Sequence, residues 1–264
     1  MTHLPVIDAD ETHVWVDVPH APAAGARRTA GQESLSDEER ARLRRLVRAE
    51  DRLAFTAAHA LVRSALSHCV PDVPATAWEF RRTPRGKPEI AAPRVRPPLR
   101  FSLSHTRGLV ACAVTAGAPC GVDVEAADRA TDPMRLARVV CTPRELSWLT
   151  GLERAARPAA FCRLWTLKEA YVKARGRGLS LPLSQCGFAV ADRVGGTTGI
   201  QAEFAPELGE RPQEWWLAQW APTPTHSLAV AVHAGARVAA HRAVLHGVPV
   251  ARAGQAVPPG GSGR

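Results

Sequence analysis

The nine-residue stretch Trp-Thr-Leu-Lys-Glu-Ala-Tyr-Val-Lys, residues 165–173, constrains the fold most, because a helical apolar pattern there carries charges at its border. At about 100° per residue its large apolar side chains share one arc, which predicts a helix packed against a core. Glu169 and Lys173 lie one turn apart at the edge of the arc, where both side chains can reach a cleft. Lys168 falls inside the arc, an unusual position for a lysine on a surface helix. The apolar members of the arc are Phe161, Leu164, Trp165, Leu167, Tyr171 and Val172.

Lysine is scarce in the whole chain: three of its 34 basic side chains are lysines, and two of the three lie in residues 165–173. A lysine ammonium is a compact charge with an adjustable pKa, whereas a guanidinium is always charged. We therefore interpret Lys87, Lys168 and Lys173 as positions with a chemical role. The structural alternative is an i,i+4 pair between Glu169 and Lys173 worth about 0.2–0.5 kcal/mol, with Lys168 reaching solvent along its stem.

Composition restricts the class of protein. A chain of 264 residues with 45% hydrophobic content can bury a core and form one or two domains. Its net charge of +9 favours a polyanionic partner such as a nucleotide phosphate, a nucleic acid or an acidic protein. The six cysteines show no C-x-x-C pair and no spacing with histidine that is typical of a zinc site, so we expect reduced thiols in the cytosol. Neither a signal peptide nor an apolar run of about 18 residues is apparent, which predicts a soluble cytoplasmic protein without membrane contact.

The order of elements repeats between the two parts of the chain. Ser36 and Glu39 have the spacing of a capping box, which predicts the start of a helix, and Thr142 and Glu145 have the same spacing. Each box precedes a long apolar helix, and this weak duplication places a boundary near residue 117. The predicted segments are a first half over 1–117, a second half over 118–247 and an unfolded tail, rich in Pro, Gly and Ala, over 248–264.

Two acids stand out in the strands that alternation predicts between residues 101 and 125. Asp123 and Glu125 are two residues apart, so both carboxylates leave the same face of the sheet. Like charges on one face repel, and a cation or a basic partner offsets that repulsion. With Glu169 from the predicted helix, the three carboxylates form an oxygen site for a hard cation such as Mg²⁺.

Basic side chains near these acids fit a phosphate substrate. His105 lies at the polar end of the first of these strands, and Lys87 lies in a basic turn upstream. Such groups hold phosphate oxygens, so the residues predict a Mg²⁺-dependent enzyme that acts on a polyphosphate. Two alternatives remain open. One is a nucleic-acid-binding protein, which the charge alone favours, and the other is a different Mg²⁺-dependent phosphohydrolase that uses the same acids.

Five blocks of the chain carry a resemblance. Residues 121–125 (Gly-Val-Asp-Val-Glu) and residues 165–173 resemble the two signature blocks of the surfactin-type (Sfp-like) 4′-phosphopantetheinyl transferases. Residues 101–106 resemble that family's block before the first signature, residues 86–88 its upstream basic turn, and residues 177–183 its run after the helix. A single block would be weak evidence, but five in order, across residues 35 to 190, are specific.

The resemblance implies an α+β fold of two similar halves, each a small and mostly antiparallel sheet packed with helices. Its active site would lie in the cleft between the halves and bind coenzyme A. The implied enzyme is a monomer that moves the phosphopantetheine arm of coenzyme A to a serine of an acyl or peptidyl carrier protein and releases 3′,5′-ADP. Its carriers would belong to polyketide, nonribosomal peptide or fatty-acid synthases, and no nucleic acid would be bound.

The resemblance also implies a role for each matching residue. Asp123, Glu125 and Glu169 would hold Mg²⁺, with Mn²⁺ as an alternative ion, on the pyrophosphate of coenzyme A. Glu169 would also activate the carrier serine, and Lys173 would stabilise or protonate the leaving phosphate. Asp123, Glu169 and Lys173 are therefore the predicted catalytic residues. The residues expected to contact coenzyme A are Arg42, Lys87, Ser104, His105 and Lys173.

The chain departs from the family pattern in its first half. The family commonly has an arginine near the position of Ala54 and another basic residue near His59, which leaves one coenzyme A contact without an obvious counterpart. Arg52 and Arg63 are candidate substitutes. Glu145 matches a further acid of the family that is sometimes drawn into proton transfer, and its position in a capping box offers a purely structural explanation.

Overall fold

The structure is a computed structural model that describes residues 2–19, 32–127, 132–178, 181–190, 200–247 and 251–252. Within these residues it is an α+β fold of helices packed on small sheets. Its helices are α1 (Asp37–Arg45), α2 (Ala49–Cys69), α3 (Pro133–Val140), α4 (Pro143–Gly151) and α5 (Arg157–Arg175). Its strands are β1 (Glu11–Asp17), β2 (Glu79–Arg82), β3 (Pro88–Ala92), β4 (Leu99–Thr106), β5 (Leu109–Ala116), β6 (Cys120–Ala126), β7 (Cys186–Val190), β8 (Ile200–Phe204), β9 (Trp215–Thr223), β10 (His226–His233), β11 (Arg242–Gly247) and β12 (Ala251–Arg252).

Two four-stranded sheets form the framework. The first has the order β11-β1-β5-β4 and the second the order β12-β9-β10-β6, and β2-β3 and β7-β8 are separate hairpins. Among the strands of the described residues, every pairing is antiparallel except that of β1 with β11. The mostly antiparallel α+β architecture predicted from the sequence is confirmed.

Each sheet has a long helix on its outer face. Helix α2 covers the first sheet through a core that includes Leu66 and Phe101, and α5 covers the second through a core that includes Leu167 and Tyr171. The inner faces of the two sheets share a third core of small and β-branched side chains, with Val122 among its fully buried members. The two halves therefore meet along an apolar seam, with β4 of the first sheet beside β6 of the second.

Both predicted capping boxes are present. At the start of α1, the amide of Glu39 donates to the Ser36 hydroxyl at 3.2 Å, and the Ser36 amide donates to the Glu39 carboxylate at 2.8 Å. Thr142 and Glu145 make the same two bonds, with the same lengths, at the start of α4. Each box begins a short helix that precedes a long one, as the sequence predicted.

Helix α5 contains the stretch 165–173 and ends at Gly176, whose φ of 62° suits a residue without a side chain. Of the predicted apolar arc, only Trp165 is partly exposed. Lys168 does not reach solvent, so the alternative in which it snorkels is wrong. Its ammonium lies 2.8 Å from the buried Glu145 carboxylate. Lys168 is buried because this acid pairs with its charge inside the core.

The last strand of the predicted second half returns to the first sheet. Strand β11, which the sequence pattern did not predict, lies within residues 118–247 but pairs with β1 of the first half. Of the predicted unfolded tail over 248–264, only Ala251–Arg252 are described, and they pair with β9 as β12; the rest lies outside the described residues. Within the described ranges, no helix is both long and apolar enough to cross a membrane.

Candidate active site

The site begins where β4 and β6 run side by side without a regular ladder between them. Two serine hydroxyls bridge the strands: Ser102 Oγ accepts from the amide of Val122 at 3.0 Å, and Ser104 Oγ accepts from the amide of Val124 at 3.3 Å. Both serines are buried. These bonds satisfy backbone donors at a sheet edge and fix β6 against the first half.

Asp123 lies at the centre of this junction and is 4% exposed. Its Oδ1 accepts from the Ser104 hydroxyl at 2.8 Å and from the Lys173 ammonium at 2.7 Å. The same ammonium donates to Ser104 at 2.9 Å. Its other oxygen, Oδ2, is buried and has no hydrogen-bond partner among the residues that the structure describes. An acceptor of this kind is costly to bury, and a cation is a natural partner for it.

A glycine brings strand and helix together. Gly121, two residues before Asp123, faces α5 so closely that an added Cβ would lie 2.5 Å from the Ala174 nitrogen and closer still to the Ala170 carbonyl oxygen. The absence of a side chain therefore lets β6 approach the helix backbone. This approach places the acids of β6 beside Glu169 and Lys173.

Glu169 and Lys173 line a cavity of about 250 Å³ between the two halves. The first half contributes Lys87, Ser102 and Leu103 to its wall. Burial raises the pKa of Glu169, and the nearby charge of Asp123 raises it further, while the Lys173 ammonium opposes both effects. The Lys173 ammonium therefore compensates only part of the effect of burial and of Asp123 on Glu169.

Glu125 lies to one side of this cavity. Its carboxylate accepts from the Trp165 indole at 3.1 Å and from the Thr106 hydroxyl at 3.4 Å. It is close enough to Glu169 to contribute to the raised pKa of that residue. Its orientation is set by side chains from both halves.

Lys87 reaches the same cavity from the turn between β2 and β3. Its ammonium donates to the carbonyl oxygens of Cys120 at 3.2 Å and Lys173 at 2.5 Å, and burial lowers its pKa. Because an ammonium has three donors, one remains for a phosphate oxygen. A larger groove of about 1120 Å³ adjoins the cavity beyond Lys87, and it is lined by arginines such as Arg81 and Arg100 but by none of the three acids.

His105 and Arg42 lie on the solvent side of the site. Partial burial lowers the pKa of His105, and the positive charges of Lys173 and Arg42 lower it further. Arg42 is therefore close enough to His105 to affect its pKa. The Arg42 guanidinium lies 5.6 Å from the centre of the Phe55 ring. The imidazole and the exposed guanidinium both carry N–H groups that can donate to a phosphate.

Both arginines considered as substitutes near Ala54 make internal hydrogen bonds. Arg52 donates to the carbonyl oxygens of Leu46 and Val47, at the end of α1. Arg63 is 2% exposed and donates to the Glu39 carboxylate at 2.8 Å.

Glu145 belongs to a structural network. It completes the capping box of α4, accepts from the Phe188 amide at 2.8 Å and pairs with Lys168. The Lys168 ammonium also donates to the carbonyl oxygens of Leu183 and Cys186. The hydrogen bonds and the ion pair of Glu145 and Lys168 are therefore all made within the protein. The structure shows the structural explanation of Glu145, in which it completes a capping box.

The donors fit a hard divalent cation in chemistry. Asp123, Glu125 and Glu169 offer carboxylate oxygens, the ligands that Mg²⁺ prefers, and the unpartnered Oδ2 of Asp123 is available to such an ion. In this structure Lys173 holds the other Asp123 oxygen. Among the described residues, the one group of three possible ligand atoms within 4.8 Å of one another consists of histidines elsewhere in the fold. The carboxylates of Asp123, Glu125 and Glu169 are therefore neighbours, but their oxygens do not all lie within that distance of one another.

Comparison with known proteins identifies the family. Residues 119–232 match the model of the 4′-phosphopantetheinyl transferase superfamily, and residues 26–117 match that of the N-terminal region of 4′-phosphopantetheinyl transferases. The chain is 34% identical to the 4′-phosphopantetheinyl transferase HetI of Nostoc over 65% of this chain and 71% of that protein. The chain belongs to the 4′-phosphopantetheinyl transferases. Two Bacillus subtilis relatives of this transferase support the same family assignment. One, a 4′-phosphopantetheinyl transferase, is 30% identical over 68% of this chain and 75% of its own length, and Sfp is 29% identical over 74% and 81%.

Membership decides between the alternatives. The transferase is an enzyme of a family that uses coenzyme A as substrate, and neither a nucleic-acid-binding protein nor an unrelated phosphohydrolase finds support in these comparisons. Sequence reasoning missed three parts of the transferase site: the serine bridge through Ser102, the indole donor of Trp165 to Glu125, and the contact at Gly121. Of these, only the glycine two residues before Asp123 offered a signal in the sequence.

Proposed function

We propose that this transferase moves the 4′-phosphopantetheine arm of coenzyme A to a serine of acyl or peptidyl carrier proteins in a Mg²⁺-dependent reaction. The observation that carries the proposal is the meeting of Asp123 on β6 with Lys173 on α5, beside Glu169 and a cavity between the halves. Asp123, Glu125 and Glu169 would hold the ion, with Mn²⁺ as an alternative. When bound, the ion would supply charge neutralisation at the pyrophosphate of coenzyme A.

The reaction replaces the phosphoanhydride bond of coenzyme A with a phosphate ester bond to the carrier serine. The carrier serine oxygen bonds to the phosphorus that bears the pantetheine arm, and the bond from that phosphorus to the bridging oxygen breaks, which releases 3′,5′-ADP. Glu169 accepts the serine proton, a role that its raised pKa favours because a stronger base takes a proton more readily. Lys173 donates to the leaving phosphate oxygen, where negative charge develops.

The remaining predicted residues would position coenzyme A. Lys87, His105 and Arg42 would donate to its phosphates, the first from inside the cavity and the other two from the solvent side. Ser104 would act by holding Asp123 and Lys173 in place, because its hydroxyl bonds to both.

We also propose a cytoplasmic monomer whose halves follow the predicted boundary near residue 117. All six cysteines are buried and none forms a disulfide, which fits a reducing compartment. Ser104 and Asp123 come from different sheets of the same chain, so one chain completes the site. The carriers of polyketide, nonribosomal peptide or fatty-acid synthases are the proposed partners, and an acidic carrier would suit the net charge of +9.

Mass spectrometry of an apo carrier protein tests the proposal. Incubation with the transferase, coenzyme A and Mg²⁺ is expected to add the mass of one phosphopantetheine, and a chelator is expected to prevent the addition. Asp123→Asn and Glu169→Gln should reduce the rate by at least about 100-fold, whereas the exposed control Glu153→Gln should not. Failure to modify any of several acyl and peptidyl carriers, or full activity in both acid variants, would overturn it.

A further inference from the structure

Three histidines from distant parts of the chain meet on the outer face of the first sheet. They are His13 on β1, His68 near the end of α2 and His246 on β11, and one possible ligand atom from each lies within 4.8 Å of the other two. In the parallel pairing of β1 with β11, Trp15 lies opposite His246. His13 precedes Trp15 by two residues and shares its face of the sheet, the face covered by α2. This cluster and β4, which carries Ser104, lie at opposite edges of the sheet.

The most buried of the three is already oriented as a metal ligand. His13 Nε2 lies 3.2 Å from the Glu11 carboxylate, and that carboxylate accepts from Arg242 at 2.7 Å. A carboxylate beside one imidazole nitrogen holds the proton there and leaves the other nitrogen free to bind a metal. That other nitrogen, Nδ1, shares a hydrogen bond of 3.0 Å with Nε2 of His246, and a metal ion would take the place of the shared proton. Two nitrogens on one tetrahedral Zn²⁺ would be separated by about 3.3 Å, given Zn–N bonds of about 2.0–2.1 Å.

The surroundings hold the rings and keep one side open. The Trp15 indole stacks on His246 with centroids 4.4 Å apart and an interplanar angle of 8°, and it meets His68 edge-on at 5.7 Å. His68 is exposed, so an ion and a water molecule have access.

We propose that His13, His68 and His246 bind one transition-metal ion of the Zn²⁺ class, with a fourth position open to solvent. Three imidazoles select ions such as Zn²⁺ over Mg²⁺, which prefers oxygen ligands. The ion joins β1, α2 and β11 and so fastens the strand that returns from the end of the second half. The site is independent of the carboxylates that serve the transfer reaction.

Calorimetric titration of the full chain with Zn²⁺ tests the site, in buffer with saturating Mg²⁺ to occupy the carboxylates. One ion per chain is expected, and His68→Ala and His246→Ala should each weaken binding by at least about 10-fold. His3→Ala, a histidine outside the cluster, should bind as the unmodified protein does. Because His68 is exposed, its replacement separates loss of the ligand from loss of the fold, and circular dichroism verifies that the variant is folded.

A second readout follows the role of the ion in the fold. Zn²⁺ is expected to slow amide hydrogen exchange in β11 of the unmodified protein and to have no such effect in His68→Ala. Phosphopantetheine transfer by His68→Ala should remain normal with Mg²⁺. Equal Zn²⁺ affinity in the unmodified protein, His68→Ala and His246→Ala would overturn the proposal, as would unchanged exchange in β11 on addition of Zn²⁺.

Discussion

At the residue scale, the proposed mechanism gives Lys173 two functions, because its ammonium both compensates Asp123 and faces the cavity where phosphate would leave. In the structure it holds Asp123 Oδ1, so it competes with a cation for that oxygen. Charge compensation and cation binding are therefore separable by mutation. The two variants that separate them are Lys173→Gln and Asp123→Asn.

Lys173→Gln should reduce phosphopantetheine transfer by about 100- to 1000-fold, the usual cost of losing one donor to developing charge. It should leave Mg²⁺ affinity equal or higher, because all three acids remain and the competing ammonium is gone. Asp123→Asn should lose both transfer and Mg²⁺ affinity. The measurements are the transfer rate and calorimetric Mg²⁺ titration. Loss of Mg²⁺ binding in Lys173→Gln to the same extent as in Asp123→Asn would show that the lysine is not a competitor.

Trp165 provides a second prediction, because its indole donates to Glu125 at 3.1 Å. Trp165→Phe keeps the ring and removes the donor, so the Glu125 carboxylate loses part of its orientation. The Mg²⁺ concentration for half-maximal transfer should rise about 10-fold, the lower end of the usual effect of such supporting bonds. The rate at saturating Mg²⁺ should be nearly normal. Trp148→Phe, in a partly exposed tryptophan of α4, is the matched control, and equal Mg²⁺ requirements in the two variants would refute the role of the indole.

At the scale of elements, the contact between β6 and α5 determines the distance between Asp123 and Glu169. Gly121→Ala would place a methyl group against the α5 backbone, which cannot move aside as a side chain can. We expect a loss of about 1–3 kcal/mol in the free energy of unfolding, together with reduced transfer by the folded protein. Chemical denaturation and transfer assays measure the two effects. Gly151→Ala, at a helical glycine where an added Cβ meets nothing within 4 Å, should lower neither the free energy of unfolding nor the transfer rate, and a stable, fully active Gly121→Ala would contradict this account.

The junction of α1 with α2 depends on Glu39. This carboxylate lies 2.9 Å from His59 and 2.8 Å from Arg63; burial acts to raise its pKa, but the two basic side chains and the Ser36 amide lower it to about 2. Glu39→Ala leaves the buried Arg63 guanidinium unpaired, which should cost about 3 kcal/mol of unfolding free energy. Glu38→Ala, an exposed neighbour, should cost little.

The difference in unfolding free energy between the unmodified protein and Glu39→Ala should depend on pH. Because the folded pKa of Glu39 is below its usual value of 4.5, its contribution is complete above about pH 4.5 and declines as the pH falls towards 2. Denaturant titrations at several pH values should therefore show the gap between the unmodified protein and Glu39→Ala narrowing below pH 4.5. A gap that stays constant across this range would contradict the lowered pKa.

At the scale of the whole molecule, the sequence predicted what depends on local patterns. Capping boxes, strand alternation and the helical arc are set by residues a few positions apart, so α1, α4, α5 and the strands from β4 to β6 could be predicted. The grouping of Asp123 with Glu169 required only that one strand and one helix pack together. The resemblance to known blocks then supplied the chemistry.

What the sequence could not predict depends on partners distant in the chain. Lys168 is buried because Glu145 and carbonyl oxygens near β7 accept its hydrogen bonds. Arg63 is buried in an ion pair with Glu39. Strand β11 pairs with β1, more than 200 residues earlier, without a turn signal to connect them. The histidine cluster combines the same two strands with α2, so no local spacing could reveal it.

The central claim for the whole molecule is that acids from a strand and a helix hold one divalent ion together with coenzyme A. Electron paramagnetic resonance with Mn²⁺ in place of Mg²⁺ tests it directly, in the presence of coenzyme A and in a His68→Ala background that removes the histidine cluster. We predict one bound Mn²⁺ per chain, with binding strongly weakened by Asp123→Asn or Glu169→Gln and unchanged by Glu153→Gln. Mn²⁺ binding that is undiminished in both Asp123→Asn and Glu169→Gln would contradict the claim.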